Sequence, residues 1–133
     1  MLEWSEELSV GSAEMDGDHR DLIDLVNRVA LTDLANDPAA FGVLLDEVIA
    51  HLGDHFRREE RLMRAAGYPG LFYHRGSHAS LLADVQALRH KGAEGDRAGG
   101  PQRLLALLVP WLPAHIMNED KLYALHLGGA GKA

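Results

Sequence analysis

Apolar residues along this chain recur every three or four positions, the period of an amphipathic helix, and no segment shows the strict alternation of a strand. Beyond an irregular N-terminal arm, MLEWSEELSV, the positions Ile23, Val26 and Ala30 continue a face that begins at His19, and Asp16 can cap the helix that carries it. Asn36-Asp37-Pro38 ends that helix and starts another, with Asp37 as N-cap and Pro38 at the first helical position, where its missing N–H costs nothing. The second helix carries Phe41, Leu44, Val48, Leu52, His55, Glu59 and Leu62 along one side. Gly67-Tyr68-Pro69-Gly70 breaks the chain again, and Leu71, His74, His78, Leu81, Val85 and Leu88 form a third stripe. A looser stretch from Gly92 to Gly100 precedes a last helix that can begin at Pro101. Four such segments with short connections predict an all-α fold, an up-down-up-down four-helix bundle with an irregular N-terminal arm. Residues 1–133 read as a single domain without internal repeats.

The last segment carries Pro110 and Pro113 inside what should be helix, in LLVPWLPAHI. Each proline removes a backbone hydrogen bond and crowds the preceding turn, at a cost of about 3 kcal/mol in an ordinary helix interior. Two outcomes stand open: a kink or irregular turn just before His115, or a short helix from Pro101 to Val109 followed by a second that starts near Pro110.

Composition narrows the chemistry. At 133 residues the chain is long enough to bury a core without covalent staples. It has no cysteine, which excludes disulfides, thiolate zinc sites and iron–sulfur clusters and leaves only nitrogen and oxygen donors for any metal. Thirteen basic against twenty acidic residues give a formal charge of −7, with the arginines scattered, so nucleic acid is not an expected partner. There is no basic leader followed by a long apolar run and no apolar stretch of membrane-spanning length, so the expectation is a soluble, cytoplasmic protein with no membrane partner.

Set on the four stripes is a recurring group of metal-binding side chains: His19; His55 with Glu59; His74 with His78; and His115 with Glu119 and Asp120. Residues four apart on a helix share a face one turn removed, so His55/Glu59 and His74/His78 can each aim two donors at one point. A single histidine on an apolar stripe is ordinarily a core residue with one hydrogen bond. Five of them with a glutamate, all facing inward, would need many buried partners, and a metal satisfies them together. Six or seven donors exceed a closed four-coordinate zinc site, and imidazole with carboxylate suits iron, with carboxylates able to bridge two ions. The ferritin-like pattern of paired Glu-x-x-His motifs is absent. Neutral imidazoles leave more positive charge on the metals than carboxylates would, which leans towards reversible binding of a small anionic or reducible ligand.

The pieces EMDGDH around His19, HFRREERLM from His55 to Met63, GYPGLFYHRGSH ending in His74 and His78, and WLPAHIMNEDK from Trp111 to Lys121 resemble the hemerythrin family, in particular its single-domain bacterial members. Their order and spacing agree over nearly the whole chain. The resemblance implies a four-helix bundle with two Fe ions bridged by oxo or hydroxo. It implies that His74, His78 and His115 hold one iron, that His19 and His55 hold the other with a position open to O₂, and that Glu59 and Asp120 bridge the two. Spacing alone selects differently at the last position: Glu119 is one turn after His115, whereas Asp120 is rotated by roughly 140° in an ideal helix. The resemblance selects Asp120, the aspartate directly before Lys121.

By the same resemblance, Trp111 and Leu112 wall an O₂ pocket, with Ile23 one turn after His19 beside them, and Tyr123 can hydrogen-bond a bridging carboxylate. All also read as core packing, as does Met63. His51, one turn before His55, stands where many bacterial relatives carry an aromatic residue. It is expected to modulate ligand entry or autoxidation without being needed for iron binding. His90 and His126, towards helix ends, read as exposed or helix-capping. The leading functional reading is a non-haem di-iron protein that binds O₂, or another small diatomic or anionic ligand, reversibly for storage, delivery or sensing, a role that leans away from an enzyme without excluding one. The alternative is a di-iron redox enzyme acting on peroxide or nitric oxide. A metal-dependent hydrolase ranks lower, because the adjacent His-Asp pair of the HD phosphohydrolases and any nucleophile motif are missing. A sensor would need a separate output partner.

Overall fold

A computed structural model describes residues 2–31, 38–93 and 100–131. It contains α1 (Ala13–Leu31), α2 (Pro38–Ala65), α3 (Leu71–Ala93), α4 (Gly100–His115) and α5 (Lys121–Gly131), with a 3₁₀ turn at Glu6–Leu8 and a π-helical turn at Ile116–Asp120 that joins α4 to α5. The last three form one continuous rod, so the bundle has four helical rods. Each helix packs on its sequence neighbours, and α4 closes on α1. Among the described residues there is no strand. The expected N-cap at Asp37 lies outside the described residues.

Local chemistry explains the ends of the elements. The α1 helix starts three residues before Asp16, and its N-cap is Ser12. The Ser12 carbonyl accepts from the Asp16 N–H at 2.8 Å, and its hydroxyl accepts from the Met15 N–H at 3.3 Å. Asp16 takes another role. Its carboxylate accepts the Ser9 hydroxyl at 2.6 Å and the Val10 N–H at 2.9 Å, tying the arm to the first turn. The arm then runs back along α1, held by reciprocal bonds between Leu2 and the Asn27 amide at 3.0 and 2.8 Å and by Arg20 over the Trp4 ring. At the other break, Gly67 adopts a positive φ of 65°. Its N–H reaches the Arg64 carbonyl at 3.1 Å and the Tyr68 N–H reaches Met63 at 3.0 Å, the paired bonds of a glycine-terminated helix. This ending turns Tyr68 inward against Tyr123 and His126.

The stripes pack as the periodicity predicts for Leu44, Val48, Leu52, Leu81 and Val85, all buried. On α1 the buried line runs through Met15, His19, Leu22, Ile23, Val26 and Val29, and Ala30 points to solvent because the stripe drifts by one position over the last turn. Two close approaches fix α4: Leu104 is fully buried, and Gly100 sits so near Phe41 that an added Cβ would lie 2.6 Å from its ring. The prolines do not break the rod. Both lie within α4, which continues to His115, and the irregular turn comes after that residue and not before it. Leu104→Ala removes a fully enclosed side chain and is expected to lower unfolding free energy by about 2–5 kcal/mol, measured as a lower urea midpoint with an unchanged slope.

Candidate metal centre

All seven donors expected from the sequence meet in the core: His19 from α1, His55 and Glu59 from α2, His74 and His78 from α3, His115 from the end of α4 and Asp120 from the π turn, each at most 3% exposed. The two carboxylates divide their oxygens between two histidine sets. Glu59 Oε1 lies 2.6 Å from His74 Nε2 and 3.2 Å from His78 Nε2, while its Oε2 lies 2.9 Å from His55 Nε2 and 3.6 Å from His19 Nε2. Asp120 Oδ1 lies 2.9 Å from His74 Nε2 and 3.1 Å from His115 Nε2, and Oδ2 lies 2.9 Å from His19 Nε2. The donor atoms of Glu59, His74, His78, His115 and Asp120 fall within 4.8 Å of one another, as do those of His19, His55 and Glu59.

These atoms satisfy one another only in part as hydrogen-bonding groups: His74 Nε2 pairs with Glu59 Oε1 at 2.6 Å. His19 Nε2, Glu59 Oε2 and both Asp120 oxygens are buried without a hydrogen-bond partner, and His78 Nε2 faces His115 Nε2 at 3.0 Å. Orphaned polar atoms converging from three of the four rods are what a cation matches and what a hydrogen-bonded polar core would not leave behind. The donor set, nitrogen and carboxylate oxygen only, fits a transition-metal ion such as iron.

The backbone resolves the conflict between Glu119 and Asp120. Ile116–Asp120 is π-helical, and the Lys121 N–H reaches the Ile116 carbonyl, a bond spanning five residues where an α-helix spans four. The wider turn brings the side chain five residues after His115 back towards it. Asp120 therefore meets the inner nitrogen of His115, and Glu119 meets the outer one, with Oε2 at 2.7 Å from Nδ1.

Outer nitrogens of two further histidines also face carboxylates: His55 Nδ1 and Asp18 at 3.0 Å, and His78 Nδ1 and Glu60 at 2.9 Å. Such partners fix ring orientation and tautomer and raise the basicity of the inner nitrogen. Arg58 holds Asp18 through two bonds of 3.0 and 2.6 Å, Arg75 lies 3.4 Å from Glu60, and the Ser77 hydroxyl donates to Glu119 at 3.0 Å. Sequence reasoning missed these roles. Asp18 precedes His19 in the chain yet backs His55 on the neighbouring helix, a pairing that adjacency in sequence does not indicate.

Apolar walls enclose the group. Trp111 stacks on His115 with centroids 4.3 Å apart, and Phe56, also missed, stacks on His78 at 3.9 Å. The signal for Phe56 was its place beside His55. Leu112, Ile23 and Met63 are buried, whereas Trp111 is half-buried and reaches a surface groove between α3 and α4. Tyr123 is buried edge-on to Tyr68, 5.3 Å between centroids, and among the described residues makes no hydrogen bond to Asp120. His51 lies outside the cluster, half-buried, with a donor atom within 4.8 Å of those of Asp18 and Asp21. His126 Nε2 lies 3.4 Å from the Ala66 carbonyl at the end of α2, and His90 is exposed.

Proton affinities reflect the same crowding. Burial opposes the charged imidazole, but the close carboxylates of Asp120 and Glu59 outweigh it, pushing His19 and His74 from the usual 6.5 up to about 9 and His115 up to about 10. Burial likewise opposes ionisation of Glu59 and Asp120, yet the surrounding histidines hold both below the usual carboxylate range. In the metal-free chain the histidine contribution to stability is complete below pH 6.5 and lost as pH rises through about 9 to 10. The carboxylate contribution is lost as pH falls below the usual carboxylate values. Metal-free protein is therefore expected to melt highest at mildly acidic pH and progressively lower from pH 6.5 to about 10. Metal-loaded protein, in which a cation takes the place of those protons, is expected to lose less over that interval; circular dichroism melts across pH check both.

Comparison with known proteins agrees with this geometry. The family model described as the hemerythrin HHE cation binding domain matches residues 10–126. A bacteriohemerythrin of Ralstonia nicotianae is 35% identical over 131 residues, covering 98% of this chain and 92% of that protein. One of Stenotrophomonas maltophilia is 32% identical over 124 residues, covering 93% and 80%. A crystal structure of wild-type hemerythrin superposes with a TM-score of 0.88 at 26% identity, covering 96% of this chain and 98% of that one. With the whole bundle and its buried histidine–carboxylate cluster inside these matches, the chain belongs to the hemerythrin family.

Proposed function

We propose that this protein binds O₂ reversibly at a pair of iron ions. In this reading His74, His78 and His115 hold one ion, His19 and His55 hold the other, and Glu59 and Asp120 bridge them. The observation that carries it is the division of oxygens: each buried carboxylate turns one oxygen to the first histidine set and the other to the second. When bound, ferrous ions supply the electrons that O₂ takes up on binding and returns on release.

The chain's own groups do the rest. Five imidazoles, neutral once iron replaces their protons, leave the centre net positive and so favour a small electron-accepting or anionic ligand. Leu112 and Ile23 line the interior with Met63 and Ile116, and Trp111 covers His115. These apolar side chains exclude water, which favours release of O₂ over irreversible oxidation of the iron. No helix among the described residues is long and apolar enough to cross a membrane. The bacteriohemerythrin names of the relatives support the reading at the level of the family.

The test is an optical titration of anaerobically reduced, iron-loaded protein with O₂, followed by removal of O₂, with iron per chain counted in the same sample. A band that appears and reverses at two irons per chain is the expected result; immediate irreversible conversion to the ferric form would overturn reversible O₂ binding in favour of a redox enzyme or a sensor. His51→Phe is expected to keep the full iron content and to slow autoxidation several-fold, because it replaces a half-buried polar ring beside Asp18 with an apolar one. Unchanged autoxidation in that variant would remove His51 from any functional role.

A further inference from the structure

Three of the five clustered histidines are backed by a carboxylate, and the three carboxylates are not equivalent. Asp18 is bound through both oxygens by the Arg58 guanidinium, at 3.0 and 2.6 Å. Glu60 has the Arg75 guanidinium 3.4 Å away. Each of these pairs carries little net charge. Glu119 differs: among the described residues no arginine or lysine pairs with it. Its Oε2 takes His115 Nδ1 at 2.7 Å and the neutral Ser77 hydroxyl at 3.0 Å, and its Oε1 is buried with no partner. The side chain is only 20% exposed, so solvent screens it weakly.

We propose that Glu119 is the residue that positions His115 and tunes the centre electronically, lowering the reduction potential of the iron in the three-histidine set. This rests on the iron reading above. A carboxylate accepting the outer N–H of an imidazole makes the inner nitrogen a stronger donor. Its uncompensated negative charge in a poorly screened position stabilises the more positive, oxidised metal over the reduced one. Asp18 and Glu60 exert the donor effect on His55 and His78, but their guanidinium partners offset the charge. The two metal positions are therefore unequal for a reason that lies outside the ligands. Glu119, which spacing nominates as a ligand, acts through His115 because the π turn carries it to the outer side of that ring.

The experiment is a potentiometric titration, read by the optical spectrum, with iron per chain counted in every sample. Wild-type protein that holds no iron ends the functional reading itself, before any variant is compared. Glu119→Gln keeps an oxygen to accept from His115 while removing the charge. It is expected to hold the wild-type iron content and to raise the midpoint, so that at a fixed potential the ratio of reduced to oxidised protein rises about tenfold. The double variant Asp18→Asn with Arg58→Gln removes one charge of each sign and is expected to move the midpoint less. An unchanged midpoint in Glu119→Gln at full iron content overturns the inference, and so does an equal upward shift in the double variant. Loss of iron from Glu119→Gln while Asp120→Asn retains it also overturns it, and gives Glu119 the bridging place.

Discussion

Burying five imidazoles and two carboxylates among aliphatic side chains is unfavourable unless their charges and lone pairs are matched, since an unpaired buried polar group costs a few kcal/mol and an unpaired charge far more. Here the matching is incomplete within the protein. Nitrogens and oxygens from four rods face one another at 2.6 to 3.8 Å, and several still have no hydrogen-bond partner. Most other features follow from holding this group in place. The aliphatic layers of Leu44, Leu45 and Val48 on α2, Val85 on α3 and Leu104 and Leu108 on α4 supply stability away from the donors. The arm, tied down through Asp16 and Asn27, covers α1, the rod that contributes only His19.

The same constraint explains the one departure from regular helix. A straight α-helical rod cannot present both His115 and Asp120 to a common point, because residues five apart diverge around its axis. One π-helical turn removes the conflict at little cost, since its backbone hydrogen bonds are made across five residues instead of four. It also sorts two adjacent carboxylates to opposite sides of one imidazole, Asp120 to the inner nitrogen and Glu119 to the outer. Glycine at position 67 plays a comparable part at the other end of the site. It closes off α2, which ends at Ala65, two residues after Met63, and turns the chain so that α3 returns with His74 and His78 facing Glu59.

Membership of the hemerythrin family fixes the architecture and suits the cluster to metal, but a fold does not by itself specify what is done with it. The cluster is set in well-defined surroundings. Stacked aromatic rings shield two histidines of one set, Phe56 on His78 and Trp111 on His115. Carboxylates orient three rings from behind, two of them neutralised by arginine and one not. These differences lie beyond the ligand set, where relatives of similar fold can diverge without losing the metal.

By itself the sequence determined the helical period, the four segments, their breaks at Gly67 to Gly70 and near Pro38, and six of the seven inward-facing donors. Periodicity and donor spacing are local properties, carried by residues three and four apart. Resemblance, not spacing, selected Asp120. Only the tertiary structure decided how the prolines would be accommodated, because a helix held by packing along its length can absorb a lost hydrogen bond that an isolated one cannot. It alone decided that the N-cap is Ser12 and that Asp16 anchors the arm. It alone decided that Asp18 serves His55 across a helix interface, that Phe56 lies on His78, and that Glu119 stands behind His115. These pairings depend on which rods are neighbours and on the pitch of a single turn, and neither is written in the spacing of residues along the chain.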